Sequence, residues 1–206
     1  MSKHFIVVAG NMGVGKSTLT GLLAERLGWR PFYEAVDENP YIGDFFADMP
    51  RWAFHSQMFF LGRRLQQHKA VMQHTGSALM DRSIYEDAEI FARNLHDRGT
   101  ISHRDWSVYE TFYRGLCELL TPPTLVIYLK SSIPMLLKRI AQRGRDYERS
   151  LSIDYLMSLN NAYDRWAAQF TLSPVHTIEI DNVDFLESPN DFEGLVTWIK
   201  TQGYAA

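Results

Sequence analysis

One cysteine, Cys117, is present in the 206 residues, so an intramolecular disulfide is excluded and a reducing compartment is expected. Cys117 falls in an apolar helical stripe, which reads as a buried structural thiol. There is no basic excess either. Lys and Arg number 21 against 24 Asp and Glu, a formal net charge of −3. That balance excludes a general nucleic-acid binder, which needs a positive surplus to meet phosphates. Apolar runs long enough to span a bilayer are missing, and Met1-Ser2-Lys3-His4 runs straight into the first apolar segment without the pattern of a signal peptide. No membrane partner and a cytoplasmic location are therefore expected. Internal repeats and low-complexity segments are also lacking. What remains is ordinary soluble composition over a length that suits one α/β domain with a large core.

Against this background one stretch organises the chain. Gly10-Asn11-Met12-Gly13-Val14-Gly15-Lys16-Ser17 fits G-x-x-x-x-G-K-[ST] at every fixed position. The apolar run Phe5-Ile6-Val7-Val8-Ala9 precedes it, and Thr18 opens a segment of helical period ending at Leu27. That is the strand, glycine loop and helix a phosphate cradle requires; a chance glycine turn would lack this context. The glycines let successive N–H groups converge on one phosphate, and the helix N-terminus adds partial positive charge. Residues 10–18 are the candidate nucleotide contacts. Lys16 supplies charge to the β/γ phosphates, and the Ser17 hydroxyl is placed for Mg²⁺.

Short apolar runs alternate with helical stretches, the pattern of a parallel sheet with crossover helices. Strands are expected at 4–9, 29–36, 77–80, 124–129 and 176–181. Helices are expected at 16–27, 41–47, 51–74, 84–95, 152–170 and 189–202. Two more should run from the Ser102 cap to near Leu120, and from the Ser132 cap to Arg143. Gly28 and Gly76 read as helix stops, Pro50 as a helix start, and Pro122-Pro123 as a break. This is a five-stranded parallel sheet with helices on both faces, a P-loop kinase core forming one domain over 1–206.

In open parallel sheets, ligands bind beyond the carboxyl ends of the strands. Lys16, Glu34 and the pair Asp81-Arg82 fall there. Glu34 is placed to act as general base on a hydroxyl acceptor, with a solvated loop acid as the plain alternative. It is preferred to Asp37 and Glu38 because it is nearer the strand. Asp81 can hold Mg²⁺ opposite Ser17, and Arg82 can hold a phosphate or polarise a hydroxyl; a simple ion pair would explain both residues equally. Arg139 and Arg143 share one helix face, and Gly144 lets the chain bring Arg145 round, forming an arginine-rich lid at about 139–150. The alternative is a basic helix end favoured by the macrodipole. Gln57 can pair with an adenine-like or, with its amide rotated, a cytosine-like edge, so by itself it does not choose purine from pyrimidine.

Taken together, the phosphate loop, Glu34-Ala35-Val36, Asn39-Pro40-Tyr41, Arg51-Trp52-Ala53-Phe54-His55-Ser56-Gln57, Asp81-Arg82-Ser83 and Arg139-Ile140-Ala141-Gln142-Arg143-Gly144-Arg145 resemble the deoxynucleoside kinase family, particularly its bacterial deoxyadenosine/deoxyguanosine kinase branch. The resemblance covers about residues 5–170. It implies ATP-dependent phosphorylation of a deoxynucleoside 5′-hydroxyl, purine preferred, with Mg²⁺ near Ser17 and Asp81. It implies Glu34 as catalytic base, Arg82 on the 5′-oxygen and incoming phosphate, and Gln57 on the base edge. Arg64 and Asp87 match a charged pair that lies against the base. Arg139, Arg143 and Arg145 match the lid arginines, and Glu148 a carboxylate that bonds the sugar 3′-hydroxyl. It also implies a homodimer, with the stripes at 84–95 and 106–120 as possible pairing surfaces; core packing explains those stripes equally well.

Three positions depart from the pattern. Ala35 stands where many members have proline. Phe46 replaces the tyrosine that bonds the 3′-hydroxyl, a contact Tyr41 or Tyr147 would then supply. Phe60 is bulky where the base pocket is lined in animal members, which fits the purine-preferring bacterial branch but can also narrow the pocket toward pyrimidines. A nucleoside monophosphate kinase of the thymidylate kinase kind is the rival enzyme reading; only Arg51 or Arg63 offers it a second phosphate clamp. A nucleotide-dependent switch is the rival from another class, and it lacks an N-K-x-D guanine motif.

Overall fold

A computed structural model describes residues 3–34 and 36–205; Ala35, where the proline departure falls, lies outside them, as do Met1 and Ser2. Five strands form one wholly parallel sheet: β1 (Phe5–Gly10), β2 (Arg30–Phe32), β3 (Ala78–Asp81), β4 (Leu125–Lys130) and β5 (Val175–Glu179). Their order is β2-β3-β1-β4-β5, so the strand that feeds the glycine loop is central. Alternation along β1 divides the core. Phe5, Val7 and Ala9 face one layer, and Ile6 and Val8 the other. The first layer contains α2 (Ile42–Ala47), α3 (Met49–Gln73), α4 (Ile84–Glu86), α5 (Arg93–Asp97), α6 (His103–Cys117) and much of α8 (Ile153–Gln169). The second contains α1 (Lys16–Leu27), α7 (Ile133–Arg143) and α9 (Pro189–Thr201). None of the described helices is long and apolar enough to cross a membrane.

Several local expectations change. β2 covers three residues rather than the eight of 29–36; it pairs only with β3, from Arg30↔Ala78 to Phe32↔Met80, and Glu34 therefore stands on a loop. The long α3 starts at Met49, because Asp48 accepts a bond from Arg51 N and Pro50 occupies the first turn. Ser102 caps α6 through Asp105 N, whereas Ser132 makes no side-chain cap; its own N–H donates to Asp181 Oδ1 at 3.0 Å. The helix expected at 84–95 is interrupted by a π-helical stretch, Asp87–Ala92. The stripe at 84–95 turns inward, with Tyr85 and Phe91 buried, whereas the stripe at 106–120 is divided: Trp106, Tyr109 and Tyr113 are buried and Phe112 is exposed. Cys117 is half-buried.

Gly13 shows why the loop needs glycine. Its φ is +79°, and a Cβ there would lie 2.7 Å from Ile140 Cγ1 and 3.1 Å from the Leu136 carbonyl. The loop is thus pressed onto α7, the helix that carries the arginines.

Candidate active site

The carboxyl ends of the strands open into a cavity of about 640 Å³. The strand order gives it two sides. The glycine loop lies at the centre, α2, α3 and the turn after β3 lie toward one sheet edge, and the chain after β4 and β5 lies toward the other. Residues 12–18 line the cavity, with Gly15 as the left-handed cap of α1. Lys16 is buried, and its Nζ donates to the Asn11 carbonyl at 3.1 Å. Burial, joined by repulsion from Arg82, lowers its pKa to about 8 against the pull of Asp81, Glu34 and Glu86. Gly10 and Asn11 do not line the cavity. Asn11 turns its amide away, to the Leu156 carbonyl at 3.1 Å and Asn160 Oδ1 at 3.2 Å, and so ties the loop to α8.

Glu34 meets two arginines at one oxygen. Oε1 lies 3.0 Å from Arg64 Nη2 and 3.3 Å from Arg82 Nε. Burial alone would raise its pKa, but Arg82, Arg64 and Lys16 outweigh it and hold the carboxyl below its usual range. Arg82 has φ +68°, a left-handed backbone outside glycine, and its guanidinium carbon lies 4.2 Å from the centre of the Phe91 ring. Such strain persists only where neighbours over-determine it.

Arg64 is only 2% exposed and stands behind the cavity wall. It donates to Asp87 Oδ2 at 2.9 Å, to the Asp81 carbonyl at 2.9 Å and to the Arg82 carbonyl at 3.3 Å, besides Glu34. Asp87 does line the cavity; burial pushes its carboxyl up, with Arg64 opposing. Asp81 is likewise behind the wall, where Oδ2 accepts the Ser17 hydroxyl.

Gln57, Phe46 and Phe60 line the side of the cavity built by α2 and α3, with Phe45 and Ile42. Phe46 stacks on Tyr147, with ring centres 5.6 Å apart. Neither tyrosine expected to stand in for its missing hydroxyl lines the cavity. Tyr41 stacks on Trp52, and Tyr147 donates to Asp37 Oδ1 at 2.9 Å. Arg139, Arg143, Arg145 and Glu148 all line the cavity. Arg139 donates to the Val14 carbonyl at 2.9 Å, Arg143 binds Glu148, and Arg145 reaches Asp37 at 3.4 Å.

Three buried oxygens at this site have no hydrogen-bond partner: Gln57 Oε1, Glu148 Oε2 and Asp81 Oδ1. A buried polar atom left unpaired is costly, so each of these oxygens calls for a partner from outside the chain: a water, a ligand donor or a cation. Among the described residues no group of three or more His, Cys, Asp or Glu side chains forms a metal cage. A cation here would have to share the Ser17–Asp81 pair with phosphate and water.

The deoxynucleoside kinase family model matches residues 6–202. The chain belongs to the deoxynucleoside kinase family. The kinase is 40% identical over 200 residues to the deoxyadenosine/deoxycytidine kinase of Bacillus subtilis (strain 168), covering 95% of this chain and 91% of that protein. It is 37% identical over 196 residues to a deoxyguanosine kinase of Lactobacillus acidophilus, covering 91% and 86%. A deoxyadenosine kinase from M. mycoides, solved with bound dCTP, superposes with a TM-score of 0.84 at 27% identity, covering 96% of this kinase and 99% of that chain. The kinase is accordingly a phosphotransferase that phosphorylates nucleosides.

Other cavity residues of the kinase escaped the sequence reading. Ile180, Val183, Asp184, Phe185 and Leu186 form the wall after β5, and Tyr155 reaches in from α8. The strand-end rule that found Glu34 also applies to the segment after β5 and would have found that wall. Tyr155 carries no local signal.

Proposed function

We propose that this kinase transfers the γ-phosphoryl group of ATP to the 5′-hydroxyl of a deoxynucleoside, with deoxyadenosine and deoxyguanosine preferred. The observation that carries the reading is the shared cavity: the glycine loop at its centre, Glu34 and Arg82 beside it, and the unpaired Gln57 oxygen on the acceptor side. Phosphoryl transfer requires positioning and charge neutralisation more than covalent chemistry. Glu34 is held ionised by its arginines, and it accepts the hydroxyl proton late, when the loose transition state has made that proton acidic. Arg82 meets charge developing on the transferred group. Gln57 pairs with the base edge, backed by Asp87 and Arg64, and the unpaired Glu148 oxygen takes a sugar hydroxyl.

The residues present fit Mg²⁺, because Asp81 has one buried oxygen unpaired beside the Ser17 hydroxyl. Bound there, the ion would neutralise phosphate charge. Residues 139–150 serve as the lid: Arg139, Arg143 and Arg145 contact the phosphates and keep out water, the competing acceptor. The acceptor is read as a nucleoside, not a nucleotide. Arg63, one of the two possible clamps for an acceptor phosphate, is engaged by Glu38 and Gln66, and neither Arg51 nor Arg63 lines the cavity.

The test is turnover with ATP on the four natural deoxynucleosides and on deoxynucleoside monophosphates. The two purine nucleosides should be fastest and the monophosphates inert. Faster turnover on the pyrimidine nucleosides would overturn the base preference alone, and phosphorylation of monophosphates would overturn the nucleoside reading. The kinase is further proposed to act as a homodimer, for which Phe112 leaves an exposed part of the 106–120 stripe free to pair. Sedimentation should give twice the 23.8 kDa chain mass, and a monomer at micromolar concentration would exclude it.

A further inference from the structure

Glu86 has no place in the chemistry above. It is 0% exposed and does not line the cavity, yet it is a carboxylate beneath the active site. A buried carboxylate is tolerated only where hydrogen bonds and charges compensate it. Glu86 receives four bonds. Oε2 accepts Ser83 N at 2.8 Å and Ser83 Oγ at 3.1 Å; Oε1 accepts Gly10 N at 3.3 Å and Tyr163 Oη at 3.0 Å. The Ser83 bonds belong to a capping box at the start of α4. A cap alone does not explain Oε1.

The sheet explains it. β1 and β3 pair as far as Val8↔Asp81, and Arg82 N still donates to the Val8 carbonyl at 3.0 Å. Continuing the ladder would bring the N–H of Gly10 to the carbonyl of Arg82. The chain instead turns at Arg82, and that carbonyl bonds Arg64. Glu86 Oε1 takes the position of the missing strand oxygen. One side chain thus closes the end of β1, where the phosphate loop departs, and also fixes the residue after Arg82.

We propose that Glu86, oriented by Tyr163, is a positioning residue that sets the distance between the donor phosphates on the glycine loop and the Arg82 guanidinium. Through Gly10 it holds the loop, and through Ser83 it holds the strained backbone of Arg82. Burial raises the Glu86 pKa, and Arg82 and Lys16 oppose that rise. The inference rests on Arg82 meeting the transferring phosphate, as proposed above.

The experiment compares Glu86→Gln, Tyr163→Phe and Arg82→Ala in the full chain, with kcat, both KM values and the melting temperature measured for each. Misplacing reacting groups by an ångström can cost on the order of 100-fold. Glu86→Gln should lower kcat by roughly 10- to 100-fold, with each KM within about threefold of wild type and the fold retained. A kcat within about threefold of wild type overturns the proposal, as does a loss confined to KM. If Glu86→Gln does not fold, Tyr163→Phe decides. It keeps the carboxylate and both backbone bonds, and should lower kcat by about three- to tenfold, whereas unchanged kcat overturns the proposal. Arg82→Ala separates the two readings. Unchanged turnover there refutes the role of the arginine itself; a large loss there beside an active Glu86→Gln refutes the positioning role alone.

Discussion

Glu34→Gln should lower kcat by on the order of 1,000-fold while donor binding survives. The substitution keeps the shape and can keep a neutral acceptor for Arg64, so it removes mainly the charge and the basicity. General-base catalysis contributes roughly 100- to 10,000-fold, and nothing else lining the cavity offers an equivalent base beside Arg82. Asp87 is engaged by Arg64, and Glu148 by Arg143. Because Glu34 titrates below the ordinary carboxylate range, wild-type activity should be flat through neutral pH, with its acid limb beneath that range. The variant should lose that limb. The measurement is steady-state product formation from pH 3 to 7, alongside titration with a non-hydrolysable ATP analogue. Turnover near wild type with analogue binding intact would show that another group takes the proton.

Arg64→Met should give the larger loss of stability. Methionine matches much of the buried stem but leaves Glu34 and Asp87 without their shared cation, and the carbonyls of Asp81 and Arg82 without their donor. Removing one partner of a buried ionic cluster costs about 3–5 kcal/mol. For a domain of this size each kcal/mol shifts the melting temperature by about 2–4 °C, so a fall of roughly 10 °C is expected. The sign with pH follows from Glu34. Its folded pKa is depressed, so its contribution is present above the unfolded pKa and is lost as pH falls through the folded value. The gap between wild type and variant should narrow as pH falls, first as Asp87, whose pKa is raised, takes up its proton, and then as Glu34, whose pKa is depressed, takes up its own. Denaturant melts at pH 7 and in acid measure it; a gap under about 0.5 kcal/mol at pH 7 would mean that Arg64 supports no buried charge.

The sheet and the donor loop were legible because their signals are local. Gly10 to Ser17 follow one another in sequence, and the period of two along β1 and of three to four along the helices needs no tertiary knowledge. β2 was overdrawn because 29–36 reads as strand, whereas an edge strand with one neighbour is only as long as its ladder to that neighbour, which stops at Phe32↔Met80. The π-helical stretch left no trace, since its composition is that of any buried helix. Arg64 and Asp87 are 23 residues apart, so only the family resemblance joined them. Glu86 was not singled out: it forms half of a capping box with Ser83, and its second oxygen gains meaning only where β1 and β3 part.

The central place of β1 also bears on how such an enzyme changes over generations. On the proposed reading the glycine loop serves both substrates, the acceptor meets the wall from α2, α3 and the turn after β3, and the donor meets the wall from the chain after β4 and β5. These walls lie toward opposite edges of one sheet and meet at the glycine loop and at the Arg143–Glu148 pair. If the walls divide the substrates in this way, a substitution among Phe46, Gln57 and Phe60 retunes which nucleoside is accepted without disturbing the triphosphate side, and drift among residues 183–186 does the converse. The architecture separates two selective pressures that a single-walled pocket would force into compromise.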